Sequence, residues 1–482
     1  MVASFSFLVI IFAGLVVGQS SEKRGIQLRL TQKGLDYAIE ESLKILQDDI
    51  LHKPIKDFSG GSGGFDITGR KLRVLHFNVG SKSMSPDYGK GLKVAVADIS
   101  ISLSGELHYE KHLWFIKIRD TVSFQATANR VSFSLSLHIG KTSNGHPDVS
   151  VNWCNSDVGS LDLHFSGSKS SWLYNLFSSV IEDKLRGELA DLMCKSAKDS
   201  INTRTRQEMN EFPVRKVIDE WAIIDYTLSA SPYYGHSFMD IFLRGEFFQK
   251  KNPSHHSSLP IPSFTTAVDN SKMLYLWLTD YSFNTAGEVY HDAGFLVMKI
   301  TRKSNVPPLI KKFLDTRQFR ALIPELYRRF PRRPMQMTLY SYKAPKFVIE
   351  SGEVFLHVYG MATFQVVQKD GSVYNAFSLQ LDVKVGATPL VTEKYIKGKM
   401  NDFTFKMNVA KSNIGPINIP IRLPLIQSLV KASIIKAAKR GFEKGFPLPN
   451  LNEVYFKSPE VKIVKNAIQI GVDCNFIRNK RY

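Results

Sequence analysis

The chain has 482 residues, enough for two to four domains, and 43% of them are apolar, so a large core is possible. Its formal net charge of +19 favours anionic partners: phosphorylated glycolipid, anionic membrane, nucleic acid or sulfated glycan.

Residues 7–17 form an apolar run that ends in Gly18-Gln19-Ser20-Ser21. This reads as a signal-peptide core with a cleavage region at about residue 20, and the run is too short for a spanning helix. An extracellular chain is therefore expected, which argues against nucleic acid as the partner. Residues 28–51 read as an amphipathic helix through Leu28, Leu35, Ala38, Ile39, Leu43, Leu46 and Ile50, stopped by Pro54. Residues 58–64, Phe-Ser-Gly-Gly-Ser-Gly-Gly, read as a flexible loop. From 65 to 166 the apolar period becomes two, as in Leu92-Lys93-Val94-Ala95-Val96, which predicts long half-buried antiparallel strands. A second helix is predicted over about 170–208, with a wide apolar stripe through Phe177, Ile181, Leu185, Leu189 and Met193.

Strand-like sequence over 214–248 leads into a linker containing Pro253, Pro260 and Pro262. The same order then repeats. A helix opens at Leu276 and runs to about 294, strands fill 295–410, and a long helix spans about 424–443. Leu30-Thr31 and Leu278-Thr279 lie 248 residues apart, so the chain reads as a duplicated helix–sheet–helix unit. The expected division is a signal peptide (1–20), an N-terminal domain (21–248), a proline-rich linker (249–263) and a C-terminal domain (264–482). A long twisted sheet can curl around a long helix, and any unfilled space becomes an apolar tunnel. An acyl chain there gains about 0.8 kcal/mol per buried methylene.

The charge is uneven. Residues 1–220 carry +2 and residues 221–482 carry +17. The densest stretch, 301–340, has ten Lys and Arg against Asp315 and Glu325, which fits either a solvated surface or an anion-binding patch. Of three cysteines, two should pair in an oxidising compartment. Cys154 and Cys194 are 40 residues apart, and closing that loop would stabilise the fold by roughly 4 kcal/mol. Cys474, among Val472, Phe476 and Ile477, is expected to be buried. No N-glycosylation sequon is present.

Catalytic motifs fail on context. Gly60-Gly61-Ser62-Gly63-Gly64 matches G-x-S-x-G, but a nucleophile elbow needs a strand before it and a helix after it, and here the order is reversed. There is no H-E-x-x-H, Walker A loop or C-x-x-C pair. His255-His256 lacks a third metal ligand, and Glu40-Glu41 and Asp48-Asp49 fit a solvated helix face. A binding protein, not an enzyme, is expected, with no metal.

Five ordered segments resemble the bactericidal/permeability-increasing protein and lipopolysaccharide-binding protein family. They are Gly25-Ile26-Gln27-Leu28-Arg29-Leu30-Thr31-Gln32-Lys33-Gly34-Leu35, Trp172-Leu173-Tyr174-Asn175-Leu176-Phe177, Tyr275-Leu276-Trp277-Leu278-Thr279-Asp280-Tyr281, Ser412-Asn413-Ile414-Gly415-Pro416, and Lys444-Gly445-Phe446-Pro447-Leu448-Pro449. The resemblance covers about residues 25–474. It implies an α+β boomerang of two similar domains, each a strongly twisted antiparallel sheet, or barrel, wrapped around two helices. A central sheet and the proline-rich linker would join them.

It further implies one phospholipid in an apolar pocket of each domain, a Cys154–Cys194 disulfide, and binding of the lipid A part of lipopolysaccharide at the Gram-negative outer membrane surface. Members of the family kill Gram-negative bacteria or pass lipopolysaccharide to a receptor. The matching hairpin tip here offers Lys111, His112, Trp114, Lys117 and Arg119, beside Phe115. It departs from the family by carrying Glu106 and Glu110. Lys53, Lys56, Arg70, Lys71, Arg73 and Lys169 are further candidate phosphate contacts, since Lys and Arg pair with phosphate through charge-assisted hydrogen bonds. The expected function is that of a secreted antimicrobial, innate-immune protein. The alternative is a lipid carrier or lipopolysaccharide sensor that does not kill.

Overall fold

The computed structural model describes residues 24–52, 55–166, 170–211, 213–306, 308–392, 395–417, 446–447 and 454–476. The expected signal segment, Lys53, Lys169, the helix expected over 424–443 and most of the 444–449 motif lie outside the described residues.

The N-terminal half is built on one antiparallel sheet. Its strands are β2 (Phe58–Ser62), β3 (Phe65–Asn78), β4 (Ser81–Asp87), β5 (Gly91–Leu113), β6 (Ile116–Lys141) and β7 (Pro147–Phe165), in the order β2-β3-β5-β6-β7 with β4 also on β5. The period-two pattern puts Leu92, Val94, Val96, Ile101, Leu103, Leu107 and Tyr109 of β5 on the buried face. The sheet bends where its register slips. Asp98 and Arg130 have positive φ (55° and 51°) beside the shifts around Ile99, and Lys71 (φ 53°) lies in the shift between Arg70 and Arg73. Such bulges increase twist and turn a flat sheet into a trough.

Two helices pack on the inner face. Helix α1 (Gln32–His52) buries Leu35, Ala38, Ile39 and Leu43, and α2 (Ser170–Asp199) buries Phe177, Ile181, Leu185 and Leu189 at four-residue steps. Each of the Leu, Ile and Phe side chains contributes about 1.5–3 kcal/mol on burial. A disulfide ties α2 to β7 through Cys194 and Cys154, with Cα atoms 5.7 Å apart. Cys474 is a free, buried thiol.

The glycine-rich segment expected to be a flexible loop is instead strand β2 and its turn. Gly63 and Gly64 take positive φ (58° and 76°) in the β2–β3 turn. A Cβ on Gly63 would lie 2.8 Å from Leu176 of α2, so this position needs glycine to let the helix approach.

A six-stranded sheet joins the halves. It combines β1 (Ile26–Thr31), β10 (Tyr233–Tyr234) and β11 (Phe238–Leu243) with β13 (Leu274–Thr279), β21 (Val454–Val464) and β22 (Ala467–Phe476), in the order β10-β11-β1-β13-β22-β21. Residues 28–31 and 276–279, expected to open helices, are strands; the helices start at Gln32 and Asp280. Both strands are central and covered on both faces; Ile26, Leu28 and Leu30 do alternate with Gln27, Arg29 and Thr31, but the run is short and Leu28 also stands at helical spacing from Leu35.

On one face of this sheet Arg29 makes a bidentate pair with Asp240, both bonds 2.6 Å. Arg29 also donates to the Thr266 carbonyl at 3.0 Å and lies 3.8 Å over Phe238. The segment that follows the linker is thus drawn across the sheet, where Phe264 and Val268 cover Tyr275 and Trp277. Burial pushes the Asp240 carboxyl above its usual range, although Arg29 opposes the shift.

In the C-terminal half the sheet order is β14 (Val297–Ile300), β15 (Met335–Ser341), β17 (Glu353–Val367), β18 (Val373–Val391), β19 (Tyr395–Ser412) and β20 (Phe446–Pro447), with β16 (Lys346–Glu350) also on β17. A smaller sheet orders β12 (Glu246–Gln249), β9 (Ala222–Asp225) and β8 (Arg215–Val217), and α3 (Asp280–Asp292) packs on it through Val289. The strands expected throughout 295–410 are interrupted. Between β14 and β15, residues 301–334 form two short helical segments and a 3-10 turn, Thr316–Phe319. Leu314, Phe319, Ile323 and Leu326 from this insertion are buried against Phe364 and Phe377, and close the far end of the half.

Candidate functional site

Strands β5 and β6 meet in a two-residue turn, Trp114-Phe115, with Trp114 at φ 52°. Trp114 is 96% exposed and Phe115 is 98% exposed. Ile116, Leu113 and Ile118 extend the exposed apolar surface down the hairpin. The hydrophobic effect opposes such a patch in water, so a run of five exposed apolar residues marks a contact surface.

Charges ring this tip in two groups. The first is at the tip itself. Lys111 donates to the Gly63 carbonyl at 2.9 Å and lies 4.8 Å over Phe65. Beneath it Phe65, Tyr109 and Phe177 contact one another at 5.6–5.9 Å between ring centroids, sealing the end of the lobe. Across the hairpin His112 opposes Lys117, and Glu110 opposes Arg119. Glu110 takes an ion pair from Lys117 at 2.6 Å and lies 3.4 Å from His112. Lys117 holds the Glu110 carboxyl below its usual range. Arg119 is exposed and forms no ion pair among the described residues.

The second group lies farther back. Arg70 opposes Glu106 and Arg73 opposes Ser104, seven and nine residues before Leu113. At about 3.4 Å per residue that is roughly 24–31 Å from the tip. Lys71 pairs with Glu106 at 2.9 Å. Lys56 joins this group because the Ile55 amide bonds the Leu72 carbonyl. Arg70, Arg73 and Lys56 are exposed and unpaired among the described residues. The expected site residues therefore form a tip cluster (Lys111, His112, Trp114, Lys117, Arg119) and a separate basic band (Lys56, Arg70, Lys71, Arg73). Sequence reasoning left out Leu113, Ile116 and Ile118. Their signal was the unbroken run Leu113-Trp114-Phe115-Ile116, where period two stops.

Two cavities stand out among the described residues. One of about 520 Å³ lies beside the segment that follows the linker, between Val268, Tyr275, Val461 and Gln469. One of about 350 Å³ is lined by Pro308 and by the polar residues Arg302, Lys311, Lys312, Asp315, Arg317 and Gln318. Neither lies between a sheet and its helices. No cluster of three or more His, Cys, Asp or Glu able to hold a metal occurs among the described residues. No described helix is long and apolar enough to cross a membrane.

This duplicated architecture is matched by the LBP / BPI / CETP family, N-terminal domain over residues 34–203 and C-terminal domain over residues 216–476, and the chain belongs to that family. It is similar to the lipopolysaccharide-binding protein of Homo sapiens, 27% identical over 463 residues that cover 94% of each chain. It is also similar to the bactericidal permeability-increasing protein of Sebastes schlegelii, 26% identical over 459 residues covering 94% of this chain and 95% of that one. The crystal structure of lipopolysaccharide binding protein matches with a TM-score of 0.62 at 25% identity, covering 95% of this chain and 100% of that one.

Proposed function

We propose that this protein binds lipopolysaccharide at the surface of Gram-negative outer membranes, through the β5–β6 tip, and acts there by binding alone. The observation that carries the reading is the pair of almost fully exposed rings, Trp114 and Phe115, flanked by Lys111, Lys117 and Arg119. The rings enter the boundary between headgroup and acyl chains, each contributing about 1.5–3 kcal/mol on burial. The cations meet lipid A phosphates through charge-assisted hydrogen bonds. The basic band with Arg70 and Arg73 lies too far back to touch the same headgroup and takes a neighbouring one in a packed surface. The relatives named for lipopolysaccharide binding and for bacterial killing support the ligand. Killing, secretion and one phospholipid held between sheet and helices in each half belong to the same proposal.

The test is binding to vesicles with and without lipid A at physiological salt. Trp114→Ala with Phe115→Ala should weaken binding at least tenfold and leave the unfolding midpoint unchanged, because neither ring is packed in the fold. Unchanged binding would remove the tip from the site.

A second reading, a phospholipid carrier, is favoured by one observation. Glu110 neutralises Lys117 at the tip and Glu106 neutralises Lys71 in the band behind it, so both groups are less cationic than their lysines suggest. Transfer of phospholipid between vesicles without preference for lipopolysaccharide would select it.

A further inference from the structure

The two halves end differently. In the N-terminal half, β2 and β3 are joined by Gly63-Gly64. In the C-terminal half, β14 and β15 hold the corresponding edge position, but residues 301–334 intervene. Ten of those residues are Lys or Arg, against Asp315 and Glu325. The segment is anchored by its buried apolar side chains, so its charges are held on a fixed base and do not hang from a loose loop.

The cavity of about 350 Å³ opens in this cap. Asp315 organises it. The side chain is 7% exposed and accepts from the Arg317 amide (2.9 Å), Arg317 Nε (3.1 Å) and Arg317 Nη2 (2.8 Å), and from Arg302 Nη2. Arg302 Nε is fixed by the Leu314 carbonyl at 3.0 Å. One carboxylate therefore orients two guanidinium groups and neutralises only one of them. Each guanidinium keeps its Nη1 without a hydrogen bond among the described residues, and Lys311 and Lys312 line the same cavity with no ion pair among them. Four cations face one carboxylate that is already used.

We infer that this cavity is a second anion site, built for a phosphate monoester carried on a sugar. Two guanidinium groups held in place by Asp315, with two ammonium groups beside them in an open depression, suit a tetrahedral oxyanion. The cavity is larger than one phosphate, and the Gln318 amide offers a neutral partner for hydroxyl groups. Pro308 is its one apolar lining residue, too little apolar surface for an acyl chain. The inference is independent of the hairpin tip, at the other end of the duplication.

The experiment titrates the full chain with glucose 6-phosphate, glucose and inorganic phosphate by calorimetry. Glucose 6-phosphate should bind at roughly millimolar affinity or better, more tightly than inorganic phosphate, and glucose should not bind. Lys311→Glu with Lys312→Glu should weaken it at least tenfold with an unchanged unfolding midpoint. Trp114→Ala with Phe115→Ala should leave it intact. Arg302→Gln tests the oriented guanidinium, with the lysine variant retained as the decisive one if Arg302→Gln fails to fold. Equal binding by the lysine variant would overturn the site. Inorganic phosphate binding as tightly as the sugar phosphate would overturn the assignment of a sugar.

Discussion

Leu28 lies directly opposite Leu276 in the central sheet, and the two are 248 positions apart. That is also the offset between Leu30-Thr31 and Leu278-Thr279, so each leucine faces its own duplicate. The hydrogen bonds around them repeat the relation. The Thr31 amide donates to the Met273 carbonyl at 3.1 Å, and the Thr279 amide donates to the Gly25 carbonyl at 3.0 Å. The flanking pairs repeat as well: Ile26 faces Leu243 as Leu274 faces Val472. An approximate two-fold axis passes between β1 and β13. The symmetry is broken where Arg29 faces Asp240 on one side and Trp277 faces Gln469 on the other.

A fragment ending near residue 248 would leave β1 with an unpaired edge carrying Ile26, Leu28 and Leu30. Such edges template association between chains. Residues 21–248 expressed alone should self-associate on size-exclusion chromatography, while the full chain does not do so through this edge. A strictly monomeric fragment would show that β1 is protected by something other than β13.

Glu110 restrains the tip. Glu110→Gln removes the acceptor that neutralises Lys117 and should raise affinity for lipid A vesicles several-fold at low salt. The gain should shrink as salt rises, because exposed charges are screened over about 8 Å at physiological ionic strength. The same affinity at both salts would mean that Lys117 does not contact the ligand.

Asp280, in the first turn of α3, has its carboxyl pushed up to about 6, chiefly by burial. Its folded value exceeds its unfolded value of 3.8, so the fold disfavours the ionised form. Its contribution to stability is fully present below pH 3.8, is lost as pH rises through about 6 and is level above that. Asp280→Asn should therefore be more stable than the parent at about pH 7.5 and equal to it near pH 4 in denaturant titrations. A constant difference at both values would contradict the assignment.

Cys194→Ala, which removes the tie between α2 and β7, should lower stability by about 2–4 kcal/mol. Its unfolding midpoint should match that of the fully reduced parent, measured in the same denaturant series.

Much of this architecture was legible in the sequence. Alternation over 92–103 gave β5, and the stripe from Phe177 to Met193 gave α2, because each element buries only one face. Leu28 to Thr31 alternates with period two, but so short a run does not set a period by itself and merges with the helical stripe that continues through Leu35. The glycines at 60–64 carry no side chain to show a period, so β2 looked like a loop. The insertion at 301–334 was visible as charge and not as shape, since its burial of Leu314 and Phe319 depends on partners beyond residue 360. At the tip, residue types were readable, but the pairing of Glu110 with Lys117 depends on strand register, which spacing alone does not set.

The place of β22 bears on how the chain is made. β13 can add to β1 soon after β11 has formed, but its other edge waits for β22, about 190 residues later. At roughly 5–20 residues per second, synthesis leaves that edge open for about 10–40 s. The nascent protein must carry a half-finished sheet through that interval, with Leu274, Leu276 and Leu278 exposed on the waiting strand. A ribosome stalled before residue 467 would hold the molecule at its most adhesive moment.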